Sequence, residues 1–374
     1  MPFSDFHGNP ETIHRLREML ARNRFPHAVI LSGAHGSGKY TLALMLARAM
    51  NCLEQSITGG TGGTDGLPDF CGRCSNCTRI AQSADLDARF AEAVEARENL
   101  RDTDKKETRL FVQTHPDVLV IPPDPPQLMI KVDQVRHVIE TIYYRPGEAR
   151  ERVYIFTSSA FMKEAANSLL KVLEEPPEFA TIFLLTENPG ELLPTIRSRS
   201  MTFNLGALAA SEIESRLAQL RPDWNPRQRA LVARLSEGAI GRALSFDLES
   251  YVAARNHALI MLKSALGGND NDHSELFKTT ESYRPGAEGR TKIDNLLRTL
   301  YSLLEDLMFL QSGAAQLVRN TDILGELRKM SEATDFAWVQ RAADGLGEVE
   351  RGLRRNLLRS LSLDAFATAL ERVS

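Results

Sequence analysis

Two groups of residues in this chain have types and spacing that could do chemistry. The first is the run from Gly33 to Lys39, which follows the apolar stretch Ala28 to Leu31 and precedes a helical pattern from Thr41 to Met50. Strand, glycine-rich loop and helix is the context in which backbone amides turn inward around phosphate oxygens and a lysine reaches the β- and γ-phosphates. Gly33, Gly36, Gly38 and Lys39 are therefore candidate binders of a nucleotide such as ATP or ADP; the bland alternative is a glycine-rich turn with a surface lysine. A P-loop wants Ser or Thr after its lysine, because that hydroxyl holds magnesium. This chain has Tyr40 there. A phenol oxygen lies too far from the backbone to replace a short hydroxyl, and Thr41 lies about 100° further round a helix. Phosphate binding stays open, and magnesium is expected to be poorly held.

The second group is all four cysteines: Cys52, Cys71, Cys74 and Cys77. C-x-x-C-x-x-C supplies three thiolates, and Cys52, across a Gly/Thr-rich run at 58–66, can supply the fourth. In a cytoplasmic protein such spacing reads as structural zinc, closed and tetrahedral. The alternatives are disulfides, which the compartment disfavours, or free buried thiols. A zinc ribbon touching DNA is conceivable, but Arg73 and Arg79 give the module few basic residues, which favours a local scaffold.

The elements that must position these groups centre on residues 153–200. Val153 to Phe156 predicts a buried strand, and Met162 to Glu175 predicts a helix with Met162, Ala166, Leu169, Leu170 and Leu173 on its apolar face. Pro176 and Pro177 stop that helix. Thr181 to Leu185 is the next strand, and the loop Pro194 to Ser200 presents Arg197 and Arg199. Strands at 28–32, 118–121, 153–157, 181–186 and about 200–204, alternating with helices, predict a parallel α/β sheet. Ligands of such sheets sit at the C-terminal strand ends. Upstream, Ile13, Leu16, Met19 and Leu20 mark an amphipathic helix. Another runs through Val132, Val135, Ile139 and Ile142, with Asp133 as the expected cap. Between 85 and 109 the chain is highly charged, with Leu86, Phe90, Val94 and Arg97 on one helical stripe. His115 reads as part of a strand-entry turn set by Pro116 and Asp117.

The words "AANSLLKVLEEPP" and "LLTENPGELLPTIRSRS" resemble the clamp-loader subunits of bacterial DNA polymerase III, within the AAA+ class. The resemblance is most specific at 153–200, good at 25–80 and loose beyond 250. In ATP-hydrolysing members the strand matching Val153 to Phe156 ends in Asp-Glu, which holds magnesium and orients the attacking water. Thr157 and Ser158 stand here. That combination is similar to the delta-prime kind, which does not hydrolyse ATP but offers an arginine to a neighbour's ATP. By residue type alone Arg199 is a solvated surface arginine; the resemblance implies an arginine finger, with Arg197 a nearby competitor. It also implies that Thr186 sits at a γ-phosphate sensor position and Arg242 at a second sensor position in a lid helix. Against Arg242 stands a plain helix-face charge. The family link to residue 115 is usually shorter, so 85–110 reads as an insertion.

A chain of 374 residues is long enough for two or three domains. The division expected is an AAA+ RecA-like α/β domain at 1–204 carrying the cysteine module (52–77) and the insert, a helical lid at 205–250, and an all-α collar at 251–374. Ser211 with Glu214 reads as a capping box. The collar core is expected from Ile293, Leu296, Leu297, Leu300, Leu304, Leu307 and Met308. A net charge of −4 argues against a chain that coats nucleic acid; Arg351, Arg354, Arg355 and Arg359 read as a solvated helix face. No membrane span or signal peptide is expected, which makes the cytoplasm the default location. The resemblance implies as partners the gamma/tau motor and delta subunits in a hetero-pentamer and, through them, the sliding clamp and primer-template DNA. Two rival readings remain: an active gamma/tau-like ATPase using Lys39, and a zinc-bearing DNA-binding module.

Overall fold

The strand expectations meet a six-stranded sheet in the computed structural model, which describes residues 2–54, 66–266, 274–283, 287–355 and 357–370. Residues 58–65 of the Gly/Thr-rich run, the polar run 267–272 and residues 284–286 lie outside them, as does the Arg354 side chain. The strands are β1 (Ala28–Ser32), β2 (Val112–His115), β3 (Val118–Ile121), β4 (Arg152–Phe156), β5 (Ala180–Thr186) and β6 (Met201–Asn204). Their order is β2-β3-β4-β5-β1-β6, parallel throughout except for β2 against β3. β2 was not expected: three of its four residues are polar, and an edge strand with one covered face leaves little pattern. His115 closes β2, and its Nδ1 accepts from the Asp117 amide at 3.1 Å, in the turn its neighbours predict.

Side chains alternate across this sheet, as the pleat requires. Val29, Leu31, Val153, Ile155, Phe183 and Leu185 join one apolar core with the helices Pro10–Ala21 and Lys39–Asn51. Ala28, Ile30, Tyr154, Phe156, Ile182 and Leu184 join the other, under the helices Val132–Thr141 and Lys163–Glu174. Every residue of β1 and β5 is buried, so these two interior strands read as nearly continuous apolar runs.

Three local expectations need correction. Met162 precedes its helix and is exposed, because the turn after β4 extends through 162 before the first helical residue. Asp133 is not a cap; it lies in the first turn and pairs with Arg109 at 2.5 Å, while the Gln134 side chain accepts from the Lys131 amide at 2.9 Å. Ser211 lies inside the helix Ala210–Leu220, so its hydroxyl does not start it. The charged stripe at 85–98 is the helix Leu86–Glu98, with Asp85 accepting from the Ala88 amide at 3.1 Å. Arg97 leaves that helix to meet the fully buried carboxylate of Asp124 at 2.8 Å, with Lys131 on the same oxygen at 2.9 Å.

The described residues form two compact units. The sheet unit comprises Met1–Ala209 with Gly238–Arg242, and the second comprises Ala210–Glu237 with Ala243–Ser374. The second unit is helical among its described residues and is built round the helix Ala287–Gln311. Ile293, Leu296, Leu297, Leu300, Leu304 and Leu307 are buried there with Trp338; Met308, one residue past the stripe, is exposed. A buried polar knot lies beside them. Asp306 accepts from the Arg319 and Asn320 amides and from Asn320 Nδ2, and Arg255 reaches Asn320 and Asp322. No described helix is long and apolar enough to cross a membrane.

Candidate functional site

β1 ends at Ser32 beside Thr186 of β5, and the loop 33–38 leaves from that edge. Gly36 and Gly38 have φ of 78° and 91°, a region that side-chain-bearing residues avoid, so glycine is what lets the loop curl. The Lys39 ammonium folds back onto the loop and donates to the carbonyls of Gly33 (2.6 Å) and Ala34 (2.8 Å). Burial pulls Lys39 below the ordinary lysine range, an effect that Glu187 partly offsets. The Gly33 amide donates to the Thr186 carbonyl at 3.2 Å. The Thr186 hydroxyl is buried and engaged with its own turn, donating to the Asn188 carbonyl and accepting from the Asn188 amide. Segment 238–242 lies directly on the loop: the Gly241 amide donates to the Gly36 carbonyl at 2.9 Å. A Cβ on Gly36 would come within 2.5 Å of the Arg242 nitrogen. The sequence-predicted residues Gly33, Gly36, Gly38, Lys39, Thr186 and Arg242 are thus gathered at one sheet edge. Glu187, next to Thr186 and 3.7 Å from His35, is an acid there that sequence reasoning missed.

The residue after the lysine points elsewhere. The Tyr40 phenol donates to the Ser83 carbonyl at 2.6 Å, tying the loop's helix to the end of the helix Ser75–Ala81. Burial pushes its ionisation well above the ordinary tyrosine value, so it stays a donor. At the end of β4, the Thr157 amide bonds the Ile121 carbonyl and the Ser158 hydroxyl accepts from the Ala160 amide at 3.1 Å. Neither position carries a carboxylate. The loop has the form that cradles phosphate, the residue after its lysine carries no short hydroxyl, and neither residue at the end of β4 is an acid.

The four cysteine sulfurs lie within 4.8 Å of one another. Tetrahedral thiolates with ~2.3 Å metal bonds would stand about 3.8 Å apart, so modest closure brings them to one ion. The Cys71 amide points at Cys52 Sγ and the Cys74 amide at Cys71 Sγ, each at 3.3 Å, the donors that thiolates need. Cys52 and Cys77 are buried. The module is seated on the core: Asn76 donates to the carbonyls of Asn51 and Glu148, and Arg150 to that of Cys52. These four residues could hold a metal ion.

Arg199 follows the short helix Pro194–Arg197. Its guanidinium meets Glu174 at 2.7 Å and the Thr195 carbonyl at 3.2 Å. Arg197 is exposed and has no side-chain partner among the described residues. Sequence reasoning missed Glu174, although two acids closing a helix before Pro176 were a visible anomaly.

A glycine-rich loop closed by a lysine, at the end of an interior parallel strand and flanked by the strand that carries Thr186, has the form of a P-loop α/β protein. The family model for DNA polymerase III, delta subunit, matches residues 8–209, more than half of the chain. The chain belongs to that family and is a clamp-loader family member. It is 26% identical to the DNA polymerase III subunit delta' of Bacillus subtilis over 321 residues, covering 86% of this chain and 83% of that one. Against the Escherichia coli subunit delta' it is 32% identical over 222 residues, 58% of this chain and 62% of that one. Against the E. coli subunit tau it is 28% identical over 279 residues, 73% of this chain but only 37% of tau. The chain therefore spans little more than a third of the tau subunits it matches. A solved gamma subunit-related protein from Thermotoga maritima overlays with a TM-score of 0.41 at 18% identity, over 95% of this chain and 98% of that one.

Proposed function

We propose that this chain is the delta-prime kind of clamp-loader subunit: it does not hydrolyse ATP and offers Arg199 to the ATP of a neighbouring subunit. The observation that carries this reading is the joint loss at one site. Tyr40 is turned away to Ser83, and Thr157 and Ser158 stand where the acids belong, in a chain that retains the exposed loop bearing Arg199. An arginine finger stabilises charge on the transferring phosphoryl group and is worth on the order of 10³–10⁵ in rate. Gly33, Gly36, Gly38, Lys39, Thr186 and Arg242 form a vestigial nucleotide site. Cys52, Cys71, Cys74 and Cys77 hold zinc, which supplies no reaction chemistry and fixes residues 52–77 on the core. The partners are the gamma/tau motor and delta subunits in a hetero-pentameric ring and, through the ring, the sliding clamp and primed DNA in the cytoplasm. Residues 1–204, 205–250 and 251–374 serve as the ATPase-like, lid and collar parts.

A second reading, an active gamma/tau-like ATPase, is favoured by the similarity to tau and by Lys39 in an intact loop. Reconstitution separates the two. The chain is co-expressed with the motor and delta subunits of its own organism. One stable complex, with no ATP turnover by the purified chain alone, is expected. Magnesium-dependent turnover by the isolated chain would establish the second reading, and failure to join the complex would refute the first.

A further inference from the structure

Glu174 is an acid in the wrong place for a helix. It is the last residue of Lys163–Glu174, and Glu175 follows as the cap. Aligned peptide dipoles already leave partial negative charge at that end, so carboxylates there are disfavoured and cations preferred. A residue that breaks a local rule without local benefit marks a function elsewhere. The partner that Glu174 has is Arg199: Oε1 meets Nη2 at 2.7 Å. Arg199 Nη1 donates to the Thr195 carbonyl at 3.2 Å and approaches the Ser198 hydroxyl at 3.5 Å. The helix end that carries Glu174 is itself fastened, with the Tyr143 phenol donating to the Glu175 carbonyl at 3.4 Å.

We propose that Glu174 is a positioning residue for Arg199, holding the guanidinium in one orientation so that its remaining N–H donors meet a neighbour's phosphoryl group ready-aligned. This rests on the arginine-finger reading. An arginine has five N–H donors in a rigid fork. The contacts to Glu174, Thr195 and Ser198 engage its two terminal nitrogens and leave donors over for phosphate oxygens. The two side chains are 35% and 52% exposed, so water screens their attraction. Such a pair orients the arginine without neutralising it, and donors aimed in advance need no reorganisation when charge develops.

The test uses the assembled loader with DNA-stimulated ATP turnover as readout, comparing wild type, Arg199→Ala, Glu174→Gln, Glu174→Asp and the double variant Arg199→Ala/Glu174→Gln. Glu174→Gln is expected to lower kcat by about fivefold, with KM for ATP changed by less than about twofold. Glu174→Asp, whose carboxylate falls short by one methylene, is expected to lie between Gln and wild type. In the Arg199→Ala background, Glu174→Gln is expected to do nothing further, because there is no guanidinium left to align. If Arg199→Ala cripples turnover while Glu174→Gln matches wild type, the positioning role is overturned and the finger survives. Losses that multiply in the double variant would overturn the positioning role in the same way. If Arg199→Ala leaves turnover intact, the finger reading itself falls and takes this role with it.

Discussion

Tyr40 gives the sharpest test of the proposal that this chain's own nucleotide site does not hydrolyse ATP. Its phenol sits 2.6 Å from the Ser83 carbonyl, and the ring is half-buried against the first sheet core. Tyr40→Phe keeps the ring and strands the carbonyl, costing about 1–2 kcal/mol. Tyr40→Ser also removes the ring; aromatic truncation in a full core costs ~3–5 kcal/mol, and the half-burial here puts the total at about 3–4. At roughly 2–4 °C per kcal/mol for a unit of about 200 residues, the melting temperature falls by ~2–8 °C for Phe and ~6–16 °C for Ser. Thermal denaturation followed by circular dichroism measures both. Tyr40→Ser also installs the short hydroxyl that a magnesium-binding P-loop uses. The purified variant is nevertheless expected to turn over no ATP, because Thr157 and Ser158 offer no carboxylate to hold magnesium or orient water. A serine variant as stable as wild type would show that the tyrosine is not a structural pin. ATP hydrolysis by Tyr40→Ser would show that Thr157 and Ser158, without a carboxylate, do not prevent turnover.

Further expectations follow from the same geometry. Asp124→Ala strands Arg97 and Lys131 against a buried site and should cost about 3–5 kcal/mol, visible as an early urea midpoint. Burial pushes Asp124 and Asp117 up, but Arg97 and Lys131 outweigh it for Asp124, as the amides of Glu148, Gly147 and Ala149 and the charge of Arg152 do for Asp117. Both carboxyls end below the usual carboxylate range. Their stabilisation is therefore present above pH ~4 and lost as pH falls through the lower folded values, so Asp117→Asn should flatten the acid limb of a stability-versus-pH curve. Metal analysis should find one zinc per chain, and Cys71→Ser or strong chelation should lower both the zinc content and the melting temperature. Unchanged melting on zinc removal would count against a structural site.

The parts of the fold that were legible are those where one physical demand dominates the sequence. β1, β3, β4 and β5 are mostly apolar runs because both their faces are covered, and Pro176 and Pro177 end a helix by geometry alone. The gathering of the four cysteines and the curl of the Gly33–Lys39 loop were legible because their residue types and spacing are those a metal site or a phosphate loop would demand. What escaped depends on partners distant in sequence. Asp124 reads as a residue of a proline-rich turn until Arg97 is folded over it. Tyr40 reads only as a missing hydroxyl until Ser83 is seen beside it. Asp133 looked like a cap because its type suits one, but Arg109 claims its carboxylate.

The most direct test of the central claim is DNA-stimulated ATP turnover by the assembled loader, with assembly checked for each variant, comparing wild type with Arg199→Ala and Lys39→Ala. The expected result is a large loss with Arg199→Ala and little change with Lys39→Ala, as a subunit that acts on its neighbour's nucleotide requires. A large loss with Lys39→Ala and none with Arg199→Ala would contradict it, and would mean that this chain's own nucleotide site does the work.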